Sequence, residues 1–158
     1  MAGCRSGQAF FRALAAIATL TAALLMGLTQ HTVDFGVISM HASYKSSIAF
    51  EFFMYGNAIA SGYSLLSLLL MAFSGNNFFM HMLDMVSYMA MGGVMGIATG
   101  AAAIGYVGKY GNNKIGWGQV CPYLGNYCNK MMYSFGASYL GFILLFIVSL
   151  FSAIRKPN

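Results

Sequence analysis

The chain has 158 residues, of which 59% are hydrophobic and only 7% are charged. Soluble domains carry about 25% charged residues, so this composition excludes a globule whose whole surface faces water. The formal net charge is +5, but the basic residues are scattered among loops and helix ends. They form no basic stripe, which argues against a nucleic-acid partner. We therefore expect an integral membrane protein whose surroundings are the lipid bilayer.

Four stretches are long enough to cross a bilayer, which requires about 20 mostly apolar residues. They cover about residues 10–28, 52–73, 80–107 and 131–154. Each is apolar on every face, as helices immersed in lipid are. The predicted fold class is therefore all-α, a single membrane domain over residues 1–158 that forms a bundle of four transmembrane helices.

The first stretch also has features of a cleaved signal peptide, because Arg5 and Arg12 accompany a run of small apolar residues. However, the run is longer than a typical signal core and Arg12 lies inside it, which favours a retained span. With four spans, both termini lie on one side of the membrane. Two substantial loops, about residues 29–51 and 108–130, then lie on the other side.

Basic residues do not decide the orientation, because the tails and the two larger loops carry four each. The cysteines favour one orientation. Cys121 and Cys128 flank a short segment that contains Pro122 and Gly125, which favour a turn, so a disulfide between them would be local. Since disulfides persist outside the cytosol, this bridge would place the second loop outside and both termini in the cytosol. Two free thiols are the alternative.

The same segment does not indicate a metal or cofactor site. A zinc site requires about four closely spaced ligands, whereas the three histidines lie far from the cysteines in sequence. No metal and no cofactor are therefore predicted. Trp117 and the nearby tyrosines are typical of an aromatic cluster at the membrane interface. We interpret Trp117 as an outer-loop interface residue, with a simple membrane anchor as the alternative.

Two charged residues lie inside predicted spans, where an ionised side chain costs about 2.5 to 3.5 kcal/mol on insertion scales. Arg12 lies within the first turn of the first span, and Asp84 about one turn into the third. These two spans run in the same direction, so both residues are expected near the cytosolic face. This predicts an intramembrane charge pair. In the alternative, Arg12 extends to the headgroups while Asp84 is hydrated or protonated.

The third span carries Gly92, Gly96 and Gly100 at intervals of four residues. Small residues at this spacing let another helix approach closely. Packing inside the same bundle and packing against another copy both fit the pattern. In the N-terminal tail, Cys4 is a candidate for palmitoylation, with an unmodified thiol as the alternative.

No catalytic constellation is evident, so no enzyme is predicted. The chain contains no CxxC pair, and no HExxH motif or phosphate-binding loop. A transporter usually has broken helices or inverted repeats, for which four short spans leave little room. The alternative function is a small oligomeric channel or transporter that uses the Arg12 and Asp84 pair.

Together these residues resemble the Casparian strip membrane domain protein-like (CASP-like) family, plant tetraspan proteins related to MARVEL-type proteins. The resemblance covers nearly the whole chain and is sharpest in YGNAIASGYSLLSLL (55–69), MLDMVSYM (82–89) and the segment 101–130. The family has an Arg in the first span, an Asp in the third, and a Trp followed by two Cys in the second outer loop. This pattern maps onto Arg12, Asp84, Trp117, Cys121 and Cys128.

The resemblance implies a plasma-membrane protein with cytosolic termini that forms homo- and hetero-oligomers. Founding members of the family are immobile scaffolds that recruit wall-modifying enzymes. The first outer loop, HTVDFGVISMHASYKSSIAFEFF, differs from their signature, so strip formation itself does not follow. We expect a non-enzymatic scaffold that associates with itself or its relatives and has extracellular wall-modifying enzymes as partners. A claudin-like barrier protein fits less well, because claudins carry their Trp and Cys signature in the first outer loop.

Overall fold

The computed structural model describes the chain over residues 2–35, 38–73, 77–114 and 116–154. Side chains are described over residues 6–30, 43–71, 85–114 and 116–150, and at Thr32, Phe73 and Leu83. The side chains of Cys4 and Asp84 lie outside the described set. These two residues are therefore placed only by their positions in helices.

Four long helices dominate the structure: α1 (Ala2–Leu28), α2 (Ile48–Phe73), α3 (Asn77–Tyr110) and α4 (Gly125–Ile154). Each contains a window that is long and apolar enough to cross a membrane, which confirms the predicted all-α bundle of four transmembrane helices. All four helices begin before the predicted spans, and α3 also ends after its predicted span, because a helix can continue beyond the apolar stretch that hydropathy detects. Cys128 and Lys130 consequently lie in the first turns of α4 and not in a loop.

The helices pack in a ring in which chain neighbours are antiparallel. The main contacts of α1 are with α2 and α4, and those of α3 are with the same two helices. Helices α1 and α3 therefore face each other diagonally across the bundle. The end that carries the α1–α2 and α3–α4 connections is called the loop end below. The opposite end, where α1 begins and α4 finishes, is called the terminal end.

A short β-hairpin lies in the α1–α2 connection, for which the sequence predicts only a loop. Its strands are β1 (His31–Phe35) and β2 (Ile38–Ala42), paired antiparallel with Val33 opposite Met40. A single 3₁₀ turn, Tyr44–Ser46, then leads into α2. Strand pairing depends on a partner strand, so the hydropathy of this segment alone did not indicate it.

The loop-end half of the core is mainly apolar and includes the start of α4. Phe53 and Phe135 pack edge to face with ring centroids 5.3 Å apart, a pair worth about 0.5 to 1.5 kcal/mol beyond its burial. Tyr127 and Cys128 belong to the same buried cluster. The disulfide-bearing segment is therefore anchored in the core of the bundle.

Candidate functional site

Arg12 lies inside the bundle, with only 2% of its surface exposed. Its guanidinium group therefore does not reach the surface of the single chain. Gln8, one turn earlier in α1, is 0% exposed. Among the described residues, neither Nε2 nor Oε1 of Gln8 has a hydrogen-bond partner. The core is thus polar towards the terminal end. We did not single out Gln8 from the sequence, although its spacing of four from Arg12 places both on one helix face.

Two hydrogen bonds from α2 indicate where Arg12 and Asp84 lie relative to each other along the bundle axis, which is called their height below. The Ser61 hydroxyl donates to the carbonyl of Ala16 in α1 at 3.1 Å, and the Tyr63 hydroxyl donates to the carbonyl of Leu83 in α3. Ser61 and Tyr63 are about 3 Å apart along the axis of α2.

The two acceptor carbonyls are therefore at similar heights. Arg12 is one turn from Ala16, and Asp84 directly follows Leu83. This places Arg12 and Asp84 within roughly one to two helical turns of each other in height. Pairing between them stays a proposal, because the Asp84 side chain is outside the described set.

Buried polar side chains link three helices through direct hydrogen bonds. Ser134 in α4 donates to the carbonyl of Ala22 in α1 at 2.7 Å. Ser138 in α4 donates to Oδ1 of Asn57 in α2 at 2.8 Å, and Nδ2 of Asn57 donates to the carbonyl of Phe53. Such bonds inside membranes average about 0.6 kcal/mol each. Because they join fixed positions, these bonds set the register of α1, α2 and α4.

Several glycines allow close approach between helices inside the bundle, although the sequence pattern alone does not indicate them. A Cβ added at Gly141 would lie 2.7 Å from Cγ2 of Thr19, and one added at Gly105 would lie 2.7 Å from Cε2 of Phe135. A Cβ at Gly56 would collide with the side chain of Ile97. An isolated glycine gives no periodic signal in a sequence, so only the packing identifies these positions.

The glycines that the sequence did indicate lie on a different surface. Gly92, Gly96 and Gly100 are exposed, and a Cβ added at any of them would meet nothing within 4 Å in the described chain. This surface of α3 is called the small-residue face below. Of the two interpretations left open by the spacing, packing inside the same bundle does not match this placement. Contact with another copy is taken up under Proposed function.

The α3–α4 connection is closed by one disulfide and by backbone hydrogen bonds. A disulfide joins Cys121 and Cys128, whose Cα atoms are 5.7 Å apart. The backbone N–H groups of Val120 and Cys121 donate to the carbonyl of Gly108 at 2.9 and 3.2 Å. The connection is therefore folded back onto the last turn of α3.

Trp117 is held at the tip of this connection and faces outwards. Its backbone exchanges two hydrogen bonds with Asn112, at 2.8 and 3.1 Å. Gly111 and Gly116, which flank the turn, both have a φ of 71°, a left-handed conformation that favours glycine. The Trp117 side chain is 62% exposed. The structure thus presents the indole ring from a hydrogen-bonded backbone.

Replacing Tyr127 by phenylalanine is expected to leave the free energy of unfolding unchanged or to raise it by up to about 1 kcal/mol. Tyr127 is only 4% exposed, and within the described part of the chain its hydroxyl has no hydrogen-bond partner. A buried hydroxyl in this state contributes desolvation cost without a bond. The measurement is thermal unfolding of the purified protein in detergent.

The matched control is Ser138→Ala, which leaves Oδ1 of Asn57 without its donor. It is expected to lower the free energy of unfolding by about 1 kcal/mol. A larger loss for Tyr127→Phe than for Ser138→Ala would contradict the assignment.

The chain matches a known protein family over most of its length. The model of the Casparian strip membrane protein domain matches residues 1–144. The chain belongs to this family. The resemblance to the CASP-like family is thereby confirmed, and the chain is a multi-pass membrane protein of the Casparian strip membrane protein family.

Similar proteins come from several plants. A CASP-like protein 1F1 from Vitis vinifera is 41% identical over 152 residues, which cover 90% of this chain and 71% of that protein. A CASP-like protein 1F1 from Populus trichocarpa is 34% identical over 155 residues, covering 94% and 84%. Casparian strip membrane protein 1 from Medicago truncatula is 31% identical over 150 residues, covering 89% and 79%. No solved structure matches the chain.

Proposed function

We propose that this protein is a non-enzymatic scaffold of the plasma membrane that associates with copies of itself and with family relatives. The observation that carries the proposal is the small-residue face of α3, which packs against nothing in its own described bundle. A scaffold requires a surface in the membrane plane that is free for other copies. Family membership supports the same conclusion, since relatives carry the name Casparian strip membrane protein.

Of the four helices, α3 has the least buried membrane window, which leaves its small-residue face open to a protein neighbour. Its membrane window has 22% of its residues buried in the bundle, against 44% for α1 and for α4. Association of helices in lipid is driven by close packing, and small residues permit the closest approach. Two copies inserted in the same orientation would bring their α3 helices together in parallel, with Gly96 at the centre of the contact.

The disulfide supports one orientation of the protein in the membrane. Bridges of this kind persist outside the cytosol, so the bond between Cys121 and Cys128 supports a loop end outside the cell and both termini in the cytosol. On this orientation the α3–α4 connection can meet extracellular proteins. We include wall-modifying enzymes among its partners, by analogy with the founding family members.

Lateral mobility of the tagged protein tests the scaffold directly. In native tissue, fluorescence recovery after photobleaching should be slow and the protein should form patches. Free diffusion without patches would contradict the proposal. If the protein were a channel that uses Arg12 and Asp84, membranes containing it would show a conductance that Asp84→Asn abolishes. We expect no such conductance.

A further inference from the structure

The α3–α4 connection and the helix ends that flank it carry exposed aromatic rings and positive charges. Between residues 108 and 130 there are three lysines, Lys109, Lys114 and Lys130, and no acidic residue. Lys114 and Lys130 are exposed. The rings of Trp117 and Tyr123 are each 62% exposed. This surface, called the basic aromatic rim below, combines flat apolar rings with a net positive charge.

The rim is built on a constrained backbone. Lys114 and Trp117 share the turn closed by the Asn112 and Trp117 backbone pair, and the amide of Gln119 donates to the carbonyl of Tyr110 at 3.3 Å. Nζ of Lys109 lies 5.5 Å from the centroid of the Tyr110 ring. The disulfide closes the other side of the connection. A ligand would therefore meet a preorganised surface and pay less ordering cost on binding.

The chemistry of the rim fits a sugar polymer that carries carboxylates. Aromatic faces bear negative electrostatic potential and attract the weakly positive C–H faces of pyranose rings. Lysine ammonium groups attract carboxylates, and a surface of one sign concentrates ligands of the opposite sign. A polyuronate offers both features at every residue. A lipid headgroup offers the charge without the stacked ring faces.

We propose that the basic aromatic rim binds an acidic polysaccharide outside the cell. The proposal takes the sidedness of the loop end from the proposed function, and it does not depend on self-association. On this proposal, the scaffold contacts other copies within the membrane plane and also contacts the polysaccharide that lies next to the membrane.

The test uses the full chain, purified and inserted into nanodiscs of neutral phosphatidylcholine, with polygalacturonate as the probe. The protein should bind polygalacturonate, and binding should be lost when the same polymer has its carboxylates methyl-esterified. Raising the ionic strength should weaken binding, because exposed charge pairs are screened. Equal binding of both polymers, or binding of neither, would overturn the proposal.

Paired variants assign the binding to the rim. Trp117→Ala should weaken binding about three- to tenfold, and Lys114→Gln about two- to fivefold. Tyr133→Ala, which removes a ring that is 73% exposed two turns into α4, should have no effect. Lys45→Gln, which removes an exposed lysine from the other connection, should also have none. Each variant is first checked for an unchanged thermal midpoint.

Two further results would also overturn the proposal. One is equal weakening by Lys45→Gln and Lys114→Gln, which would indicate a general charge effect. The other is binding only to acidic peptides or to vesicles of anionic lipid. Nanodiscs expose both faces of the protein, so the binding test does not depend on its orientation in a cell. A negative result would not contradict the proposed scaffold function, which depends on self-association. A separate experiment tests the orientation in the membrane: the Lys114→Cys variant is treated with an impermeant maleimide on intact cells. If the maleimide does not label it, the loop end does not lie outside the cell.

Discussion

Arg12→Gln is expected to reduce folded, membrane-delivered protein severely, and adding Asp84→Asn should restore part of the loss. Arg12 is 2% exposed, and we propose that Asp84 neutralises it. Removing one partner of a buried charge pair costs about 3 to 5 kcal/mol, because the other charge stays buried without compensation. The double variant leaves two neutral amides, which avoids that cost. The measurement is unfolding of each variant in detergent, together with its surface delivery.

Gln8→Met is the control for this cycle. It changes an equally buried side chain one turn away, and in the described part of the chain the Gln8 amide has no hydrogen-bond partner. Its effect should be small compared with that of Arg12→Gln. Strictly additive losses for Arg12→Gln and Asp84→Asn would contradict the pairing, because independent sites show no coupling energy.

Gly141→Leu and Gly96→Leu are expected to act in opposite ways, although both place leucine in a membrane helix. At Gly141 even a Cβ would lie 2.7 Å from Cγ2 of Thr19, so α1 and α4 must separate. Overpacking of this kind typically costs about 1 to 3 kcal/mol, occasionally more. At Gly96 the added atoms meet nothing within 4 Å, and leucine is a better helix former than glycine by roughly 1 kcal/mol.

Thermal unfolding of the monomer in detergent distinguishes these two effects. Gly141→Leu should unfold well below the wild type, whereas Gly96→Leu should match or exceed it. A loss of monomer stability in Gly96→Leu similar to that in Gly141→Leu would show that the small-residue face is covered within the bundle.

The four spans could be predicted because bilayer thickness imposes a length that hydropathy reveals directly. The pairing of Cys121 with Cys128 was also open to prediction, since a short loop with Pro122 brings the two close. The extra helical turns could not be predicted in the same way. They contain polar residues such as Asn126 and Lys130, which are compatible with a helix and with a loop.

The roles of individual polar and small residues depend on which neighbour they meet. A serine in a membrane helix commonly bonds to its own backbone, as Ser64 does to Ala60. Ser134 instead reaches Ala22 in another helix, and nothing in its local sequence distinguishes it. Likewise, Gly96 and Gly141 are equivalent by residue type. Only the packing shows that one is exposed and the other lies at a helix contact.

The central claim is self-association through the small-residue face, and counting subunits by single-molecule photobleaching tests it most directly. Gly136→Leu is the matched control, because Gly136 is exposed on α4 and an added Cβ there also meets nothing within 4 Å. At low density in a membrane, the wild type and Gly136→Leu should bleach in two or more steps and Gly96→Leu in one. A monomeric wild type, or Gly96→Leu that assembles as the wild type does, would contradict the claim.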